Sequence, residues 1–405
     1  MSADLQPASA APTRPSRDRY DVIVVGARVA GASTAHLLAR LGLDVLLVDR
    51  SRYGADTLST HALMRAGILQ LSRWGLLDAV IAAGTPPVRR TTFRYGGEVI
   101  PVDVKPGGGV DALYAPRRTV LDPILVDAAV EAGAEVRYGI SVTELLGDDR
   151  GGVIGIRGRD AGGRPLRAFG RLVIGADGMR STVAQLVDAR VERRGTARSA
   201  TAYGYWSGLE TDGYEWNFRP DAVSGAIPTN GGQACVFVSA TPRRIKGGGA
   251  TVLADILAAT SPDLAARLAA AGPASGVRTF GGRPGHLRRS WGPGWALVGD
   301  AGYFKDPLSA HGLTDALRDA ELLARAAVAV CVDGADEHVV LADYQSRRDE
   351  LSFELFDIVD VIAGHRWTDE EIPRLLLRLS AAMVEEVEML AALPPIGAFA
   401  QLGSP

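Results

Sequence analysis

Two cysteines in 405 residues, Cys235 and Cys331, are few and far apart. No CxxC or CxxxxC pair occurs, which excludes a redox-active dithiol and a thiolate zinc cluster and leaves two structural free thiols. No metal site is expected. Surplus positive charge is lacking too: 44 Lys and Arg against 47 Asp and Glu give a net charge of -3, without the basic excess of a nucleic-acid binder. Long apolar runs are missing as well. Val22 to Val25 and Val45 to Val48 are strand-sized, so no membrane span is expected. Residues 1–18 hold three prolines and no apolar signal core. They read as a disordered lead, and the protein as cytoplasmic. The rest, 47% hydrophobic and 22% charged, suits a soluble chain long enough for two domains and a sizeable core. Oligomeric state is left open.

What is present is concentrated in Asp21 to Asp49, DVIVVGARVAGASTAHLLARLGLDVLLVD. An apolar run, a glycine turn, a small-residue helix and a second apolar run ending in a carboxylate build a βαβ unit. Its helix N-terminus is a ready phosphate site. Gly26 allows the tight turn, and Gly31 lets the helix approach the sheet. Gly26, Arg28, Val29, Ala30 and Gly31 are therefore the candidate phosphate cradle. Asp49, with Arg50 beside it, lies about 20 residues beyond the turn, where such folds hold a ribose hydroxyl pair. Asp49 could equally cap the next element. Arg28 replaces the middle glycine of GxGxxG. Its Cβ crowds the backbone's approach to phosphate, while its guanidinium offers charge to phosphate or to solvent.

Further along, residues 61–78 carry apolar positions at helical spacing, and 91–115 alternate as antiparallel strands. Val120 to Ala132 reads as a helix with Asp122-Pro123 near its start. Ala134 to Tyr138, Val153 to Arg157 and Arg171 to Ile174 read as strands, the last leading into GADGMRS. From 189 to 285 short aromatic-rich runs split by glycine and proline suggest a mostly antiparallel sheet. Parallel-strand texture returns at Trp295 to Val298, before GDAGYFKDPLSAHG and a long helix from Leu313. The remainder is helical in periodicity with a proline-rich end.

GARVAG, the arginine pair in APRRTVLDPIL, GADGMRS and GDAGYFKDPLSAHG, each motif after the first following an apolar strand or opening a helix, together resemble the single-component FAD monooxygenase superfamily. That superfamily shares the para-hydroxybenzoate hydroxylase fold and includes geranylgeranyl reductases and flavin halogenases. The resemblance runs from about residue 20 to 330. It implies an α/β chain: a Rossmann-type FAD-binding domain with a mixed parallel sheet (19–90, 114–188 and 286–330), interrupted by an antiparallel-sheet substrate domain (91–113 and 189–285), and a C-terminal helical segment (331–405). It also implies roles. Asp300, after Gly299, would accept from a ribityl hydroxyl of FAD. Arg118, or otherwise Arg117, would approach the pyrophosphate. Asp177 and Gly178 belong to a motif implicated in FAD and nicotinamide contacts. Pro307, Gly312 and Leu313 would shape the flavin loop, with Gly312 setting backbone N–H groups at the flavin N1–C2=O edge, where reduced flavin is negative.

The order GDAGYFKDP looks more like the reductase and halogenase branches than the aromatic hydroxylases. Halogenases usually carry a WxWxIP element, and Trp206 and Trp216 do not form one. Prenyl reductases carry a cysteine-glycine motif after the first βαβ unit; here that place reads DTLSTHALMRAG, without cysteine. His61, expected at a helix start near the flavin ring, is a candidate acid–base group, since an unperturbed imidazole titrates around 6.5. Covalent flavin attachment and a plain backbone-bonded histidine are its alternatives. His311 is the second acid–base candidate. Lys305 reads as solvated, and Tyr203, Tyr205, Trp206 and Trp216 as a substrate wall or plain core.

The resemblance thus implies an FAD-dependent monooxygenase. NADPH or NADH would reduce FAD, and oxygen would pass through a flavin C4a-hydroperoxide to an apolar or aromatic small molecule of secondary or catabolic metabolism. A single dinucleotide fingerprint fits, because the superfamily has no separate nicotinamide domain. Two alternatives stand beside it: a reductase or dehydrogenase acting on a carbon–carbon bond, which consumes no oxygen, and a non-catalytic FAD carrier, which NAD(P)H would never bleach.

Overall fold

The computed structural model describes residues 17–271 and 276–396. Most of the expected disordered lead lies outside the described residues.

The first strand, Arg19–Val25, is buried on both faces, as a central parallel strand must be. Val22 and Val24 join one core, while Tyr20, Ile23 and Val25 join another on the opposite side. Fully burying one such aliphatic side chain contributes roughly 1.5–3 kcal/mol, so these faces fix the register firmly. The strand runs parallel to Val45–Asp49 and to Pro165–Gly175. The sheet extends in parallel to Glu135–Tyr138 on one side and Trp295–Leu297 on the other. Pro165–Gly175 is long enough to serve twice: its first half also pairs antiparallel with Val153–Arg159, which in turn pairs with Ser141–Gly147.

One face of this sheet carries the helix Val29–Arg40, which packs against the helices Arg118–Glu131 and Gly312–Cys331. Among the described residues the second sheet has seven strands, in the order Arg278–Phe280, Ala200–Ser207, Gln233–Ala240, Ala222–Thr229, Tyr214–Arg219, Arg90–Tyr95, Glu98–Asp103. Its two faces differ because the side chains alternate. Ala200, Ala202, Ala226, Val236 and Val238 lie under the helices Gly249–Thr260 and Pro262–Ala270. Tyr203, Tyr205, Tyr214, Trp216, Phe218 and Phe237 point into the main core. The C-terminal helices Glu337–Ala363 and Ile372–Ala392 pack on each other, and the first of them also on Gly312–Cys331.

Several expectations need correction. The apolar pattern from residue 61 does not form one helix: helices run Arg65–Trp74 and Leu77–Ala82, broken at Gly75, whose φ of 78° ends the first in a left-handed turn. His61 precedes the helix and has φ 50°, an unusual backbone for a residue with a Cβ. Among the described residues, the region 189–285 contains three helices that its aromatic texture concealed, the four-residue Pro242–Ile245 and the longer Gly249–Thr260 and Pro262–Ala270. Its sheet also includes one parallel pairing, Tyr214–Arg219 with Arg90–Tyr95.

Candidate active site

Three separated motifs meet at the carboxyl ends of the parallel strands, where open α/β sheets place their ligands. Gly26 follows Arg19–Val25, Ala176 follows Pro165–Gly175, and Gly299 follows Trp295–Leu297 within two residues. Their closeness is strict. A Cβ on Gly26 would lie 2.5 Å from the Ala176 carbonyl oxygen, and one on Gly299 would lie 2.9 Å from the Ala30 Cβ. At Gly31 a Cβ would fall 1.7 Å from the Gly26 carbonyl oxygen, so only glycine lets this helix reach the strand.

At the phosphate end, the helix Val29–Arg40 begins without a side-chain cap and without an acid in its first turn. Val29 is buried and Ala30 half-buried. The uncapped N–H groups and the helix dipole favour an anion. Arg28 directs its guanidinium to the Ala55 carbonyl at 3.2 Å and to Asp122 at 3.3 Å. Arg118 grips the same carboxylate with two bonds, 2.7 and 2.9 Å. Two guanidinium groups therefore share one carboxylate, leaving net positive charge beside the helix start. Arg117 goes elsewhere: its guanidinium lies 3.6 Å over the Tyr205 ring and donates to Gln233. Asp49 accepts from the Ala27 N–H at 2.7 Å and from the N–H and hydroxyl of Ser51. Three of its roughly four acceptor positions are taken, so it braces the glycine turn and leaves about one acceptor position over. Arg50 is exposed.

At the ring end, Gly299–Ala301 forms a tight turn, followed by Tyr303–Phe304, the turn Pro307–Ser309, and the helix Gly312–Cys331. The Asp300 backbone carbonyl lies 3.3 Å from His286 Nε2. Burial, aided by Asp315, pushes the Asp300 carboxyl up to about 7. Gly312 is exposed at the helix start, with open space where a Cβ would stand. Leu313 beside it is half-buried. Asp177 spends one oxygen on the Thr182 and Val183 N–H groups, while its other oxygen is buried without a hydrogen-bond partner among the described residues. Gly178 has φ 78° and open space around it. An orphaned carboxylate oxygen, an open glycine cradle, an uncapped helix start and a flanking arginine pair fit a nucleotide cofactor with hydroxyl and phosphate groups. The residues present suit FAD.

His61 is 2% exposed and engaged on both ring nitrogens. Nδ1 meets the Ala115 carbonyl at 3.2 Å, so it carries the proton, and Nε2 accepts from the Tyr205 hydroxyl at 3.2 Å. Burial, then Arg117, lowers its pKa to about 3. The environment therefore holds this imidazole neutral, unlike the group titrating near 6.5 that its sequence position suggested. Tyr205, Tyr203 and Cys235 are each pushed above their ordinary values by burial. Among the aromatics considered for a substrate wall, Tyr203, Tyr205 and Trp216 belong to the inward face; Trp206 packs on the alanine side.

His311 is wholly buried, with Nε2 2.6 Å from Glu386 Oε2 on the last helix. Lys305 is not solvated: it is 5% exposed, paired with Asp315, and lies 4.6 Å over the Tyr303 ring. Asp315, adjacent on the helix, supplies the charge that makes burial of a lysine tolerable. His311, Asp315 and Glu386 offer ligand atoms within 4.8 Å of one another. Lys305 and Arg318 already pair with these carboxylates, so the arrangement is an ion-pair network. Asp122 was findable from sequence, four residues after Arg118. Glu386, 75 residues from His311, carried no local signal.

Residues 19–357 match the family model described as an FAD binding domain. A reductase named digeranylgeranylglycerophospholipid reductase 1, from Methanopyrus kandleri, is 28% identical over 393 residues, covering 92% of this chain and 95% of the relative. The flavin-dependent brominase Bmp2 superposes with a TM-score of 0.79 at 17% identity, over 95% of this chain and 98% of that one. PqsL from P. aeruginosa, solved with 2-aminobenzoylacetate, gives a TM-score of 0.75 at 23% identity, over 90% and 100% of the two chains. These likenesses concern the whole α/β architecture. Among the described residues, no helix is long and apolar enough to cross a membrane.

Proposed function

The chain belongs to the FAD binding domain family, an FAD-dependent oxidoreductase family, and on that premise we propose that it is an FAD-dependent monooxygenase. Its substrate is an apolar or aromatic small molecule, and NADPH or NADH is the reductant. The observation that carries this reading is the deep burial of the titratable groups on the inward sheet face. Saturating a carbon–carbon bond needs a proton delivered to substrate carbon. On that face the groups are poor donors: His61 is held neutral down to about 3, and burial makes Tyr203, Tyr205 and Cys235 reluctant to release protons, while Asp300, raised to about 7, would be engaged with the ribityl chain. Oxygen insertion asks less of the protein, namely an enclosed apolar surround that excludes water. Tyr203, Tyr205, Trp216 and Phe237, which face the main core, would supply such a surround.

Bound FAD would supply the oxygen activation and the electron transfer. The chain's own residues do the rest. The helix start at Val29 with Arg28 and Arg118 would hold the pyrophosphate, Asp300 a ribityl hydroxyl, and Gly312 the pyrimidine edge of the ring. Asp49 keeps the glycine turn in shape through Ala27. His61, with its tautomer fixed by Ala115, orients the Tyr205 hydroxyl and moves no proton near neutral pH.

A second reading, a reductase, is favoured by the Methanopyrus relative, which matches nearly the whole chain and carries that name. A single-turnover experiment separates the two. With FAD reduced by NAD(P)H and candidate apolar substrates supplied, the monooxygenase reading expects oxygen consumption and a product heavier by one oxygen atom. A product gaining two hydrogens under anaerobic conditions would replace it with the reductase reading.

A further inference from the structure

The start of the helix Gly312–Cys331 rests on a buried charge cluster drawn from several segments. Glu386, from the helix Ile372–Ala392, reaches His311 Nε2 with one oxygen at 2.6 Å and Arg318 Nη1 with the other at 3.0 Å. Arg318 also binds Asp319 at 2.7 and 2.9 Å and the Ser352 hydroxyl at 3.1 Å, and lies 3.4 Å from Asp315. Lys305 pairs with the other oxygen of Asp315. His311, Asp315, Arg318, Asp319 and Glu386 are all nearly or wholly inaccessible.

Charge balance matters in so buried a place. Three carboxylates (Asp315, Asp319, Glu386) face the cations Lys305 and Arg318, with Asp300 and the Arg348–Asp349 pair within electrostatic reach, so the His311 ring held against Glu386 sits in an acid-rich surround. Burial works to raise the Glu386 carboxyl, but His311, Arg318 and Lys305 outweigh it and hold the group ionised. The other ring nitrogen of His311, Nδ1, has no partner among the described residues. The histidine precedes Gly312, the exposed first residue of the helix.

We propose that Glu386 is a positioning residue for the flavin loop: by pairing with His311 it keeps a positive charge beside the helix N-terminus that faces the flavin, and so favours reduced FAD. This rests on the FAD reading above. It gives the last helix a task at the site, 75 residues from the group it acts through. A positive ring adds to the helix dipole in stabilising the negative charge of reduced flavin.

The test is a redox titration of FAD-loaded wild type beside Glu386→Gln, His311→Gln and the double variant. Glu386→Gln is expected to weaken binding of reduced relative to oxidised FAD about tenfold, which is a fall of about 30 mV for a two-electron couple. His311→Gln should give a similar fall, and the double variant should add nothing to it. Glu386→Asp, which keeps the carboxylate, should recover part of the shift. Wild-type potential in Glu386→Gln, or additive shifts in the double variant, overturns the proposal. Where the variants do not fold, ring nitrogen NMR of the wild-type protein decides: a doubly protonated His311 ring supports the pair, and a singly protonated ring overturns it. Wild-type protein that takes up no FAD defeats the functional reading instead, while the ring spectrum still reports on the ion pair.

Discussion

The ends of the site proposed for phosphate and for the flavin ring are built by different means. The phosphate end draws on a strand, a turn and a helix contiguous in sequence, with Arg118 brought alongside through Asp122. Its geometry is set by backbone packing: glycines at 26 and 31 sit where any Cβ would strike a carbonyl oxygen. The ring end has two buried histidines in opposite electrostatic settings. His61 lies beside Arg117 and is held neutral, whereas His311 lies against Glu386 in a network of carboxylates. Both histidines stood in the sequence as acid–base candidates, His61 first and His311 second. Their neighbours, not their type, separate them.

The largest effect should come from breaking the phosphate end at its tightest point. Gly31→Val puts a branched side chain where even a Cβ would be 1.7 Å from the Gly26 carbonyl. Soluble expression and cofactor content should both collapse, with a loss of about 3 kcal/mol or more in stability. A well-folded, fully loaded variant would show that the helix can retreat without harm.

Asp300→Ala probes where the two ends meet. Losing a charged hydrogen bond to the ribityl chain should weaken FAD binding by roughly 10- to 100-fold, about 1.5–3 kcal/mol. The same residue predicts a pH dependence. Its carboxyl, raised to about 7, must be ionised to accept well. The FAD dissociation constant should therefore rise by up to about tenfold per pH unit below 7 and level off above it. Asp300→Asn should flatten that profile; an unchanged slope would move the titrating group elsewhere.

His61 sharpens the contrast on the ring side. Its folded pKa, about 3, lies below the unfolded value, so the folded state resists taking up a proton. Above the unfolded pKa both states are neutral and nothing is lost. As pH falls from about 6.5 towards 3, the unfolded chain gains protons first and stability declines, by about 2 kcal/mol at pH 5 from this residue. His286, lowered to about 3, and His365, lowered to about 4, both by burial first, act in the same direction. His61→Gln should reduce the acid slope in denaturant melts; an identical slope would mean that His61 titrates normally.

The smallest effect belongs to Arg28. It is about a third exposed and shares Asp122 with Arg118. Arg28→Gly, which restores the usual fingerprint residue, should change FAD affinity by less than about tenfold. A hundredfold loss would assign the phosphate charge to Arg28 rather than to the helix start.

Much of this was legible in the chain itself. The βαβ unit, the discontinuous strands leading to GADG and GDAG, and the inward aromatics follow from apolar runs and glycine turns that act over a few residues. What was hidden depends on tertiary partners. The left-handed backbone at His61 and its pairing with Tyr205 need the second sheet to swing across 144 residues. Lys305 looked solvated because lysine usually is, and only the burial of Asp315 beside it reverses that. The helices within 189–285 are short, and the longer two, Gly249–Thr260 and Pro262–Ala270, are alanine-rich, so aromatic strands outweighed them. Glu386 lies in a helix whose pattern reads as amphipathic surface, and nothing local tells that one acid faces inward.

The account stands on one cofactor gripped by three motifs at the ends of the parallel strands. Purified protein, stripped and then titrated with FAD, tests it most directly through visible absorbance and calorimetry. Binding of one FAD per chain, with the affinity reduced in Asp300→Ala, is the expected result. No uptake, or uptake that Asp300→Ala leaves untouched, would contradict it.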